Sequence, residues 1–154
     1  MKKFLLTAPF VALAVACSGG GAKLQPGNYE MTTKVTNLEV PGAPPAVAEQ
    51  MKTAMANEQK QTQCLKQEDI DNMGNKLGQA GAGGTNCNFT KTAFGSGTID
   101  IAGTCNAAGS NATMTITGTN TGDSFESTMT VDGSQAGQQM KVTATTSGRR
   151  IGDC

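Results

Sequence analysis

The residues of this chain best equipped for covalent chemistry are its five cysteines, Cys17, Cys64, Cys87, Cys105 and Cys154. Histidine is absent, which removes the commonest general base, the commonest transition-metal ligand and every His-based triad. From Cys64 onward the cysteines are spaced by 23, 18 and 49 residues, which fits neither a compact zinc pattern nor a CxxC redox motif. Glu68, Asp69 and Asp71 lack the glycine and distal glutamate of a calcium loop and read as a solvated acidic turn. Methionine thioethers are soft ligands that suit copper, but Met31, Met114, Met129 and Met140 fall on expected inward faces, where methionine fills gaps. No metal and no cofactor is expected. Ser, Thr, Lys, Asp and Glu are all present, yet no spacing assembles a nucleophile, a base and an oxyanion donor. The chain is therefore expected not to be an enzyme, with a hydrolase or transferase as the remote alternative.

Cys17 stands apart from the other four. It follows MKKFLLTAPFVALAVA, in which Lys2 and Lys3 form a charged start and Phe4 to Val15 an apolar run. That run is too short to span a bilayer and reads as a cleaved signal over 1–16. Its end, Ala14-Val15-Ala16-Cys17, looks like a lipobox, where the thiol takes a diacylglycerol before cleavage and an acyl chain of the palmitate class afterwards. The alternative is ordinary cleavage after the A-x-A-like Ala14-Val15-Ala16, with Cys17 a bystander; Ala14 stands where Leu is usual. Ser18-Gly19-Gly20-Gly21 is the flexible tether a lipidated terminus needs, so 17–27 are expected as tether and 28–154 as one domain. Ser18 after the cysteine, by likeness to enteric lipoproteins, favours the periplasmic side of the outer membrane.

The other four cysteines form an even set in an oxidising compartment, which reads as two disulfides with three possible pairings. Residues 87–105 look like a hairpin around Gly95-Ser96-Gly97, with Gly supplying the positive φ of the turn. Pairing Phe94 with Thr98 sets Ala93 opposite Ile99, Phe89 opposite Gly103, and Cys87 opposite Cys105. This register favours Cys87–Cys105 and leaves Cys64–Cys154. Cys64–Cys87 with Cys105–Cys154 is the runner-up.

The elements that must position these residues are mostly strands. Tyr29, Met31, Thr33 and Val35 alternate with Glu30, Thr32 and Lys34, a half-buried strand. Val47, Met51 and Met55 recur every four residues behind Pro45, predicting an amphipathic helix over 46–60. A short strand at 61–65, one helical turn at 67–72 and a glycine-rich loop at 74–85 follow. After Cys87 the period is two to the end: Met114 and Ile116, then Phe125, Met129 and Val131, then Met140, Val142 and Ala144 face inward, and threonines face out. Turns fall at 120–123 and 132–137. The fold class is mainly β, an antiparallel meander. Its apolar face is covered either by curling into a half-barrel or barrel or by the 46–60 helix. Tyr29, Phe89, Phe94 and Phe125 are the only aromatic core candidates once the leader is gone, a thin core that disulfides would help to hold.

Several pieces together carry a family likeness: Pro26-Gly27-Asn28-Tyr29-Glu30, Pro41-Gly42-Ala43-Pro44-Pro45, Thr62-Gln63-Cys64-Leu65 with Glu68-Asp69-Ile70, the Cys87–Cys105 hairpin, and the ending Gly148-Arg149-Arg150-Ile151-Gly152-Asp153-Cys154. In this order the chain resembles domain-of-unknown-function family 3617, small exported proteobacterial proteins that are often lipoproteins. It departs at Tyr29, where relatives often carry Trp, and in an expanded loop at 78–84. The resemblance implies the cysteine framework but no activity. Without Lys2 and Lys3 the chain has ten basic against twelve acidic residues, net −2, which argues against nucleic acid. The expected partners are the membrane, through the lipid, and an apolar small molecule or an envelope protein. The expected role is a binding or structural module, with the apolar ligand held under the 46–60 helix, or a protein-interaction module.

Overall fold

The computed structural model describes residues 22–73, 86–107, 110–135 and 137–154. The leader, Cys17 and the loop expected at 74–85 lie outside the described residues. The element order is β1 (Gly27–Glu39), α1 (Pro45–Met55), β2 (Gln59–Leu65), α2 (Gln67–Asp71), β3 (Asn86–Ala93), β4 (Thr98–Ala107), β5 (Ser110–Asn120), β6 (Ser124–Gln135) and β7 (Gln138–Gly152). The strands form one antiparallel sheet in the order β2-β1-β7-β6-β5-β4-β3. The run β3 to β7 is a meander, and β1 joins it by pairing along β7. The edges β2 and β3 do not pair with each other, so the sheet stays open rather than closing into a barrel.

Side-chain alternation sends the inner faces of β1, β2, β4, β5 and β6 to a common core of Tyr29, Met31, Leu65, Ile99, Ile101, Ile116 and Phe125, joined by Leu24 and Ile70 from outside the strands. Three aromatic rings meet within it: Tyr29 and Phe125 have centroids 6.1 Å apart, and Phe94 meets Phe125 edge-on at 6.3 Å. Phe125 lies across its strand neighbour Gly148, where an added Cβ would run into the ring. The glycine thus makes room for the largest inward side chain of β6.

Four expectations need correction. First, the tether does not reach residue 27. Leu24 is 1% exposed and part of the core, and the segment from Ala22 to Pro26 is a strap across the sheet's end. Leu24 N donates to Gly95 O and Gln25 N to Gly122 O, both at 2.8 Å, and Lys23 bridges Ser96. A leucine at this point buries more readily than it stays in solvent.

Second, the helix ends at Met55, because from Gln59 the chain pairs with β1 (Gln59 opposite Thr33). No α1 residue is buried, and Val47 and Met55 stay 44% and 37% exposed. The helix does not cover the apolar face; Leu24, Leu65 and Ile70 close that face at one end instead.

Third, the hairpin register shifts at a bulge between Phe89 and Lys91. Phe89 faces Gly103 and Cys87 faces Cys105, but beyond the bulge Ala93 faces Asp100, not Ile99. The extra residue turns Ala93 to the exposed side. Fourth, β6 continues to Gln135, which narrows the expected 132–137 turn to the junction with Gln138.

Two disulfides brace the sheet. Cys87 and Cys105 are direct cross-strand partners with Cα atoms 4.0 Å apart. Cys64 on edge strand β2 joins Cys154, just past β7, at 5.5 Å. The second bridge spans β1, which lies between those strands.

Candidate functional site

The strand register lays the concave face out in rows. Nearest the strap runs Gln61–Met31–Gly148–Phe125. Next comes Gln59–Thr33–Thr146–Ser127–Gly118–Ile99. Beyond it runs Val35–Ala144–Met129–Ile116–Ile101. A further apolar row is Leu38–Val142–Val131–Met114–Gly103–Phe89.

The first three rows enclose a hollow of about 510 Å³. Met31, Ile99, Ile101, Ile116, Phe125 and Met129 make its apolar wall. Gln61 and Gln63 on β2, Thr33 on β1, Thr146 on β7 and Ser127 on β6 make a polar band across it. Asp69 and Met73, at and just after α2, stand at its rim. The Thr33 and Thr146 hydroxyls hydrogen-bond each other across the strands at 3.1 Å.

Asn120, at the strap end of the sheet, is 4% exposed. Its side-chain oxygen accepts from Gly97 N at 3.0 Å, and its amide donates to Ala22 O at 3.0 Å and to Thr121 O at 3.3 Å. One side chain thus joins the strap, the β3–β4 turn and the β5–β6 turn. Tyr29 OH donates to Gln25 O at 2.7 Å, bending the strap back over the core. Burial pushes the Tyr29 phenol above its usual range; nearby Arg150 opposes the rise and Asp123 adds to it. Arg150 Nε donates to Pro26 O at 2.8 Å, its Nη2 meets Asp153 Oδ1, and Asn28 donates to Asp153 O at 2.7 Å. The opening Pro-Gly-Asn-Tyr segment and the closing Arg-Ile-Gly-Asp-Cys segment, far apart in the chain, therefore pack as one corner.

The acidic turn is used structurally. Lys66 N donates to Asp69 Oδ2 at 2.9 Å, capping α2. Asp71 takes Lys23 Nζ at 3.0 Å and Gln67 Nε2 at 3.0 Å, and these two hydrogen bonds hold its carboxyl below the usual range. Among the described residues no three His, Cys, Asp or Glu side chains converge as a metal site. No helix among them is long and apolar enough to cross a membrane.

Two further hollows of about 500 and 520 Å³ are lined mainly by Thr, Ser, Glu and Arg side chains. They belong to the threonine-rich face, whose period-two polarity is what solvation of a half-buried sheet produces. The concave hollow differs in its apolar wall. Alternation in the sequence puts Met31, Thr33, Phe125, Ile116 and Met129 on that inner face. Ser127, Thr146 and the β2 glutamines, being polar, carry no apolar signal and are not among the expected inward residues. Ser127 sits between Phe125 and Met129, and Thr146 two residues past Ala144, so continuing the alternation through polar residues would have found both.

No curated protein and no solved structure matches the chain significantly. One family model matches, described as a protein of unknown function (DUF3617), over residues 24–154. The match begins at the buried Leu24 of the strap and takes in every strand and both disulfides. From its first core residue to its last cysteine, the chain belongs to the DUF3617 family of proteins of unknown function.

Proposed function

We propose that this protein is an exported lipoprotein, acylated at Cys17 and held on the periplasmic side of the outer membrane, whose domain binds an apolar ligand in the concave hollow. The observation that carries the binding role is the hollow itself, about 510 Å³ of space bordered by Met31, Ile116, Phe125 and Met129. Small-molecule sites are concave, mostly apolar and roughly 300–1,000 Å³. The ligand lies against the sheet and α2, not under α1. Two disulfides in a 154-residue chain suit an oxidising compartment. The charged start, the short apolar run and Ala14-Val15-Ala16-Cys17 supply the export and acylation signals. Hydroxyls and amides beside the hollow, in a chain without histidine, support binding over catalysis.

Native mass spectrometry of the protein, released gently from its own membranes, tests both halves. The expected result is the mass of a triacylated chain starting at Cys17 with a reproducible additional apolar ligand. An unacylated chain would sink the lipoprotein half. The ligand is expected to leave in Met129→Glu, which puts a charge on a half-buried part of the wall. Loss of binding by at least tenfold with little change in urea midpoint is the expected outcome; unchanged binding would remove the hollow as the site.

A second reading, a protein-interaction module, draws on the edge strand β2. Its Gln59, Gln61 and Gln63 are exposed, and its outer edge pairs with no strand among the described residues. Such an edge accepts an added strand. Crosslinking in the native envelope that found a protein at β2, and no ligand in the hollow, would favour this reading.

A further inference from the structure

We infer that the ligand of the concave hollow is a single-chain amphiphile with an uncharged, hydrogen-bonding polar group, of the monoacylglycerol kind, rather than a hydrocarbon, a fatty acid or a phospholipid. This rests on the binding role proposed above and specifies its occupant.

The row Thr33–Thr146–Ser127 crosses the concave face between two apolar rows. The row is not at the rim. Met31 and Phe125 lie on one side of it, and Val35, Ala144, Met129 and Ile116 on the other. Each hydroxyl carries one donor and two acceptor sites. The Thr33–Thr146 bond uses one donor and one acceptor, leaving one O–H and three lone pairs on the pair. Ser127 forms no side-chain hydrogen bond among the described residues, and its side chain lines the same hollow. Gln61 and Gln63 bring further amide donors and acceptors to that wall.

A plain hydrocarbon lying here would strip water from these groups and return no hydrogen bond, which is unfavourable. A carboxylate or phosphate would be desolvated where the described lining supplies no Lys or Arg to pair with it. An ester or hydroxyl group can hydrogen-bond to these hydroxyls and amides without carrying a charge into a hollow whose one charged lining residue, among those described, is Asp69. Size points the same way. A hollow of about 510 Å³ holds on the order of seventeen water-sized groups at about 30 Å³ each. That is one medium chain with a small polar group and far short of a two-chain phospholipid.

The test uses the exported chain carrying Cys17→Ser, so that no detergent competes. An apolar naphthylamine probe is bound first and displaced by 1-monolauroylglycerol, laurate or dodecane. The expected result is displacement by monolauroylglycerol at least tenfold more effective than by either of the others. That preference is expected to shrink to about twofold in Thr33→Val/Thr146→Val and to weaken in Ser127→Ala, which is the milder change should the double variant fold poorly. Probe binding with no preference for the neutral lipid, a preference for laurate, or a preference untouched in the variants would overturn this inference and leave the hollow as an apolar site. Absence of probe binding would overturn the binding role itself, and this inference with it.

Discussion

Asn120 closes three loops with one amide, and its burial makes that closure hard to replace. Truncation in Asn120→Ala leaves Gly97 N and Ala22 O without their partners. Leaving buried polar groups unpaired costs about 1–3 kcal/mol, so a loss of about 2 kcal/mol in urea unfolding is expected. A loss under about 0.5 kcal/mol would mean that water takes over both bonds.

Tyr29 offers a sharper reporter because it is the only tyrosine. Burial raises its phenol in the folded state, so the native protein keeps the proton at a pH where the unfolded chain has lost it. The stabilisation is therefore complete below the unfolded value of about 10 and declines as pH rises through the folded one. Phenolate absorbance followed against pH is expected to appear late and together with loss of structure. An early phenolate signal from an intact sheet would contradict the assignment. At this scale the sequence was half legible. Tyr29 and Phe125 stand out by alternation, whereas Asn120 reads as one more turn residue, since nothing local reveals that two distant loops converge on it.

The disulfides act on elements. Cys64–Cys154 fastens edge strand β2 to the tail of β7 across β1, over a separation of 90 residues, whereas Cys87–Cys105 staples a hairpin over 18. Chain-entropy reasoning assigns about 4.6 kcal/mol to the long bridge and about 3.2 to the short one. Cys64→Ser/Cys154→Ser is thus expected to lower stability more than Cys87→Ser/Cys105→Ser, compared by denaturant midpoint. The reverse order would show that strand pairing already restrains the long loop. The hairpin was readable because its two cysteines and inward apolar residues share one register. The bulge at Phe89/Lys91 was not, because a single extra threonine in a polar edge strand leaves the alternation looking unbroken. The helix start was marked by Pro45 and the four-residue recurrence of Val47, Met51 and Met55. Its end was not, since Gln59 to Gln63 are polar throughout and become a strand only by pairing with β1, a tertiary contact that overrides local preference.

For the whole molecule, the decisive contact joins the two ends of the domain: β1 lies along β7 through most of its length. The meander from β3 to β7 follows from neighbour-to-neighbour pairing, but the place of β1 beside β7 is a long-range choice that periodicity does not encode. The strap completes the same closure, and Leu24 is its anchor. Leu24→Ala is expected to destabilise the protein by about 3 kcal/mol, within the range for emptying a buried leucine site, as measured by thermal or urea unfolding. A change under about 1 kcal/mol would mean that the strap rests on its backbone bonds alone.

Because the strap is folded as far back as Ala22, little chain is left to serve as a leash. Five Cα steps separate Cys17 from Ala22, a reach of at most roughly 18 Å at about 3.5 Å per residue. That is close to the domain's own radius of gyration, about 14 Å for a body this size. On the acylation of Cys17 proposed above, the domain would not range far from the membrane holding it. It would stand over one patch of bilayer, its Gly95–Gly97 and Thr121–Asp123 turns held toward the headgroups by the strap, and any molecule passing between membrane and hollow would cross a gap hardly wider than the protein.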